Sequence, residues 1–93
     1  MNNTSITATQ TGETSQVISL PDGIFNLFIS SSGWGSTKIE VSPDRVNWFT
    51  LQDSGSDLSI SENFVTEING GLILRLNVQT YSQDIIASVK RVI

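Results

Sequence analysis

The chain has 93 residues, nine acidic side chains against five basic ones and a formal net charge of −4, with neither cysteine nor histidine. Without cysteine there is no disulfide framework and no thiolate zinc site; without histidine the commonest general base, metal ligand and near-neutral pH switch are gone. The five cations (Lys38, Arg45, Arg75, Lys90 and Arg91) are scattered, so no basic stripe tracks a nucleic-acid backbone, and apolar runs such as Leu72-Ile73-Leu74 are far too short to span a bilayer.

A chain of this length is one domain, with an expected radius of gyration of roughly 12 Å. Fourteen serines and nine threonines suit strands with solvated outer faces better than helices. No basic stretch followed by an apolar core opens the sequence, so no cleavable secretion signal is expected.

Residues 1–16 read as a polar, Thr-rich arm, although Ile6 and Ala8 alternate with Thr7 and Thr9 and allow an edge strand. As an arm, the segment would serve assembly and add little to monomer stability. Residues 17–93 form the folded domain. Gln16 to Leu20 is a short strand closed by Pro21-Asp22-Gly23, and Ile24 to Ile29 is a strand that sends Phe25, Leu27 and Ile29 to one face. Ser30 to Ser36 reads as a flexible loop with Trp34 at its tip. Trp34 either folds back to cap the end of the core or stays open to stack a sugar or anchor a partner.

Thr37 to Leu51 reads as a hairpin about Ser42-Pro43-Asp44-Arg45, because Pro43 presets φ for the second position of a type I turn. With Ser42 opposite Arg45, Val41 pairs with Val46, Ile39 with Trp48 and Thr37 with Thr50, which makes Trp48 a core residue. A one-residue bulge at Arg45 would turn Phe49 and Leu51 inward instead. It is disfavoured because the left-handed conformation it needs is costly for arginine. In either register one of Trp48 and Phe49 is left on the outer face as a contact point.

Gln52 to Asp57 is an acidic Gly/Ser loop. Asp53, Asp57 and Glu62 surround it and offer oxygen ligands for calcium, but at no EF-hand spacing, so a solvated loop is the simpler reading. Leu58 to Ile68 fits one helical turn or a strand; the alternation of Phe64, Thr66 and Ile68 favours the strand. Asn69-Gly70-Gly71 is a turn. Leu72, Leu74, Leu76 and Val78 then alternate with Ile73, Arg75, Asn77 and Gln79 as a central strand, with Arg75 on the polar face, where a neighbouring acid is its expected partner. Ile85 to Ile93 is a closing strand with Ile85, Ala87 and Val89 on one face. The expected fold class is all-β: one β-sandwich or jelly-roll-like domain of seven to eight antiparallel strands.

Ser42-Pro43-Asp44-Arg45-Val46-Asn47-Trp48 resembles the Asp-box turn of sialidases, but its spacing differs, it lacks the glycine and it occurs once. The order of three pieces resembles small β-sandwich virion proteins of tailed bacteriophages more closely. These are the strand, turn and Trp strand from Ile39 to Leu51, the Asn-Gly-Gly turn with its Leu-Arg-Leu strand from Asn69 to Val78, and the terminal strand from Ile85 to Val92. Together they cover about a third of the chain. That resemblance implies a non-enzymatic capsid decoration (cement) or head-fibre protein, made in the host cytoplasm and placed on the virion surface. It also implies binding to the major capsid protein or another virion protein, and a homo-oligomeric state such as a trimer, with no cofactor, nucleic acid or membrane. The alternative is a carbohydrate- or receptor-binding domain of a phage fibre or tail that uses exposed aromatics. Trp34, Phe49 and Arg75 are the candidate contact residues.

Overall fold

Alternation of apolar and polar residues turns most of this chain into short antiparallel strands. In the computed structural model, which describes residues 5–12 and 16–93, there are ten: β1 (Ser5–Ala8), β2 (Ile18–Leu20), β3 (Ile24–Ser31), β4 (Ser36–Ser42), β5 (Phe49–Thr50), β6 (Gln52–Asp53), β7 (Ser56–Asp57), β8 (Phe64–Asn69), β9 (Leu72–Thr80) and β10 (Ile85–Arg91). No helix occurs among the described residues. The protein is all-β. One four-stranded sheet runs β1-β10-β3-β8, a second runs β2-β9-β4-β5, and β6 with β7 makes a separate two-stranded ribbon. Every pairing is antiparallel, and neither four-stranded sheet closes on itself.

The core forms where the apolar faces of the two larger sheets meet. Ile6, Ala8, Phe25, Leu27, Ile29, Ile68, Ile85 and Ala87 come from the first sheet, and Ile18, Leu20, Ile39, Leu74, Leu76 and Val78 from the second. Each fully buried aliphatic side chain contributes about 1.5–3 kcal/mol of transfer free energy, so the period-two pattern is also the pattern of stabilisation. β9 follows it most cleanly, with Leu74, Leu76 and Val78 buried between half-exposed Ile73, Arg75 and Asn77. The Cα radius of gyration is 12.2 Å.

The N-terminal segment is more than an arm. β1 pairs with β10, and Ile6 and Ala8 are 2% and 0% exposed in the core. Removing it would strip two buried side chains and one edge of the first sheet, so it is not dispensable to the monomer. Residues 1–4 and 13–15 of the proposed 1–16 arm lie outside the described residues.

The hairpin about Pro43 departs from both expected registers. β4 instead pairs Glu40 with Thr50 and Val41 with Phe49, and residues 43–48 form the loop between them. The cause is local hydrogen bonding. Ser42 Oγ accepts the N–H groups of Asp44 and Arg45, and Asp44 Oδ1 accepts those of Val46 and Asn47. Short polar side chains thus offer the backbone partners that a tight hairpin would have taken from the ladder. Arg45 adopts the left-handed conformation, φ 66°, that was the objection to a bulge there. Val46 ends up 77% exposed, and Trp48 stays outside the core instead of pairing with Ile39.

The strand beside β4 is itself built in two pieces. Leu51 N–H donates to Ile39, while Thr37 and Ile60 exchange both backbone hydrogen bonds further along. Between them the chain leaves as the β6–β7 ribbon, whose base closes with Leu58 N–H donating to the Leu51 carbonyl. Ser54 (φ 52°) and Gly55 (φ 84°) form its two-residue tip, both in the left-handed region that matches the twist of a hairpin. The acidic loop expected here is therefore a hairpin inserted into an edge strand. Leu51 and Leu58 anchor its root against the core.

Candidate functional site

Strand alternation leaves the two sheets with unlike outer faces. On the second sheet, the register sets Glu40 opposite Arg75 and Lys38 opposite Asn77. Arg75 Nε donates to Glu40 Oε1 at 2.7 Å, and Asn77 Nδ2 donates to Glu40 Oε2 at 3.1 Å, so both oxygens of one carboxylate are used. The Arg75 and Glu40 side chains are 23% and 14% exposed, which makes this pair the better shielded of the two salt bridges among the described residues. Trp48 lies over the guanidinium, 3.7 Å from ring centroid to Cζ, and its indole N–H donates to the Arg45 carbonyl. Further out, Lys38 Nζ donates to Asp57 Oδ2 at 3.1 Å and ties the ribbon to this face; that bond is the main reason the Asp57 carboxyl titrates below the usual range.

The outer face of the first sheet is apolar at its centre. Phe28, Val65 and Ile86 are 42%, 56% and 44% exposed. Phe28 and Val65 are direct cross-strand partners. A shallow open depression beside them is lined by Phe28, Ile29, Ser30, Asn63, Phe64 and Val65.

The three residues singled out from the sequence do not form one site. Trp34 sits between β3 and β4, half-buried against the core, and its indole N–H donates to Asn63 Oδ1 at 2.9 Å. Its loop is tied down: Ser31 Oγ accepts from the Gly33 N–H, and the Gln83 N–H donates to the Gly33 carbonyl. Phe49 pairs with Val41 near the opposite end of β4 and is 59% exposed. Ser36, where β4 starts after Trp34, and Val41 are five residues apart along the strand, roughly 17 Å. Arg75 belongs to the Glu40 network, with Trp48 as the aromatic beside it.

Asp53, Asp57 and Glu62 do not gather into a calcium cradle. Among the described residues no group of three or more Asp, Glu, His or Cys is placed to hold a metal ion, and Asp57 is engaged by Lys38 and Gln52. Sequence reasoning passed over Phe28, Val65 and Ile86. The signal for Phe28 was present, because the alternation that turns Leu27 and Ile29 inward turns Phe28 outward; only the strand pairings bring Val65 and Ile86 beside it and make a contiguous patch. No family model, curated protein or solved structure matches the chain.

Proposed function

We propose that this chain is a non-enzymatic structural protein of a tailed-phage particle, a jelly-roll β-sandwich that decorates the capsid surface and stabilises it by binding. Strand order carries the proposal. With the ribbon set aside, eight strands remain; numbered along the chain, they run 1-8-3-6 in the first sheet and 2-7-4-5 in the second. That order supports two interlocked Greek keys, the winding of jelly rolls, an architecture used by viral capsid and lectin domains. Fold alone does not fix function. Three further features favour a binding role: the order of motifs resembling phage virion proteins, the lack of histidine and cysteine for acid–base or thiol chemistry, and an acidic net charge that keeps a free subunit soluble.

The sugar-binding alternative draws its support from exposed aromatics. With the Trp34 ring half-buried and its N–H held by Asn63, that support moves to Phe49. Sedimentation of the purified protein with undecorated heads of the phage that encodes it tests the proposal. Co-sedimentation at micromolar protein is the expected result. Protein left wholly in the supernatant would overturn it, and glycan-array binding abolished by Phe49→Ala would favour the alternative.

A further inference from the structure

Two adjoining registers fix a small grid on the outside of the first sheet. Across β10, β3 and β8, one row reads Ser88, Phe28, Val65 and the next reads Lys90, Asn26, Glu67; on the other side of the Phe28 row, Ile86 lies beside Ser30. The centre is therefore apolar, while one end carries a cation and an anion on the two flanking strands. Lys90 and Glu67 are two strand spacings apart, about 9–10 Å, and neither makes an ion pair among the described residues.

We propose that a second copy of this chain covers this face, related by a twofold axis that runs parallel to β3, midway between the facing first sheets of the two copies. Such an axis preserves position along the strands and exchanges the flanks, so β10 of each copy lies over β8 of the other. Lys90 then meets Glu67 of the second copy, Glu67 meets its Lys90, and Phe28 packs on Phe28 at the axis. One patch thus complements itself in charge and in apolar character, as an isologous interface requires. An axis running across the strands through Phe28 would set Lys90 over Ile86 instead and leave both charges unmatched. Only the first arrangement uses the grid. Apolar residues lie at its centre and charges at its rim, the usual anatomy of a protein interface.

Size sets the strength. Three strands by seven residues give a footprint of roughly 14 by 23 Å, which keeps the total burial of both copies below about 1,200 Å², in the range of weak, transient contacts. Contacts of that size are weak, and a dissociation constant on the order of 10–100 µM is expected. This dimer does not depend on the virion role, and it would leave the Trp48–Arg75 face of each copy open.

Sedimentation equilibrium of the full chain over a concentration series tests it, with circular dichroism to confirm that each variant is folded. The weight-average mass should rise from 10.1 kDa towards twice that value, and high salt should weaken the association by screening. Glu67→Lys or Lys90→Glu alone should weaken it about tenfold or more, while the double swap, which restores opposite charges, should recover it to within about threefold. A monomer at about 1 mM protein, far above that range, or a closed assembly larger than a dimer would overturn the proposal. So would single swaps that associate as tightly as the wild type, since they would place the contact elsewhere, for example on the open edge of β8.

Discussion

The guanidinium of Arg75 lies 3.7 Å from the centroid of the Trp48 ring, on the outside of the second sheet, and the same group donates to Glu40. A tryptophan that a tight hairpin would have buried in the core instead covers a surface ion pair. Trp48→Ala is therefore expected to cost about 1–2 kcal/mol in urea unfolding, against about 3–5 kcal/mol for a core tryptophan. Combined with Arg75→Ala in a double-mutant cycle, it should show a coupling of about 0.5–1 kcal/mol. A loss above 3 kcal/mol would mean that the ring is core after all.

The two salt bridges among the described residues should behave differently. Glu40 is well shielded and accepts from both Arg75 and Asn77, so Glu40→Ala leaves two donors short of a partner. Its expected cost is about 1–3 kcal/mol. Lys38 and Asp57 are 29% and 42% exposed, and Lys38→Ala should cost under about 0.5 kcal/mol. Equal losses from the two variants in denaturant titrations would contradict this ranking.

Strand identity was legible in this chain because alternation is a local signal. Leu74, Leu76 and Val78, and likewise Phe25, Leu27 and Ile29, announce their inward face without help from the rest of the fold. The Asn69-Gly70-Gly71 turn was equally plain. What could not be read were choices made by side chains acting on nearby backbone. Pro43 suggested a tight turn, yet Ser42 and Asp44 between them collect four N–H groups and lengthen it to six residues. Trp48 then falls on the opposite face from the one pairing arithmetic assigns. Arg75 and its acidic partner were half legible: the strand placed Arg75 on the polar face, but only the β4–β9 register supplies Glu40. Phe28 was legible as an outward residue, whereas its neighbours Val65 and Ile86 depend on two long-range pairings.

Gly35 tests how firmly the Trp34 loop is held. A Cβ at this position would collide with the Thr80 carbonyl, a backbone group that cannot swing aside as a side chain would. Gly35→Ala should cost more than about 2 kcal/mol and disturb the start of β4, where Ser36 pairs with Thr80. Thermal unfolding that matches the wild type within error would show that the loop can move away.

Arg45 carries the opposite expectation. At φ 66° its backbone holds a left-handed conformation that costs a residue with a Cβ roughly 1–2 kcal/mol and costs glycine little. Arg45→Gly removes that strain but gives the unfolded chain more freedom, so a net gain of up to about 1 kcal/mol is expected. The indole of Trp48 bonds the Arg45 carbonyl and not its side chain, so that contact should survive. Destabilisation by more than 1 kcal/mol would mean that the arginine side chain has a role of its own.

Asp44 should set part of the acid limb of stability. Hydrogen bonds from the backbone N–H of Asn47, then Val46, hold its carboxyl at about 2, below the ordinary 3.8. Because the folded value is the lower one, the ionised carboxylate supports the fold fully above about pH 5, and that support is lost as pH falls past 3.8 and through about 2. The N–H resonances of Val46 and Asn47 should titrate together with a midpoint near 2, since both donate to the same Oδ1. Asp44→Asn should flatten the stability profile across that window and leave its shape at higher pH unchanged. A midpoint near 3.8 for those two amides would mean that the loop's hydrogen bonds do not favour the charged form.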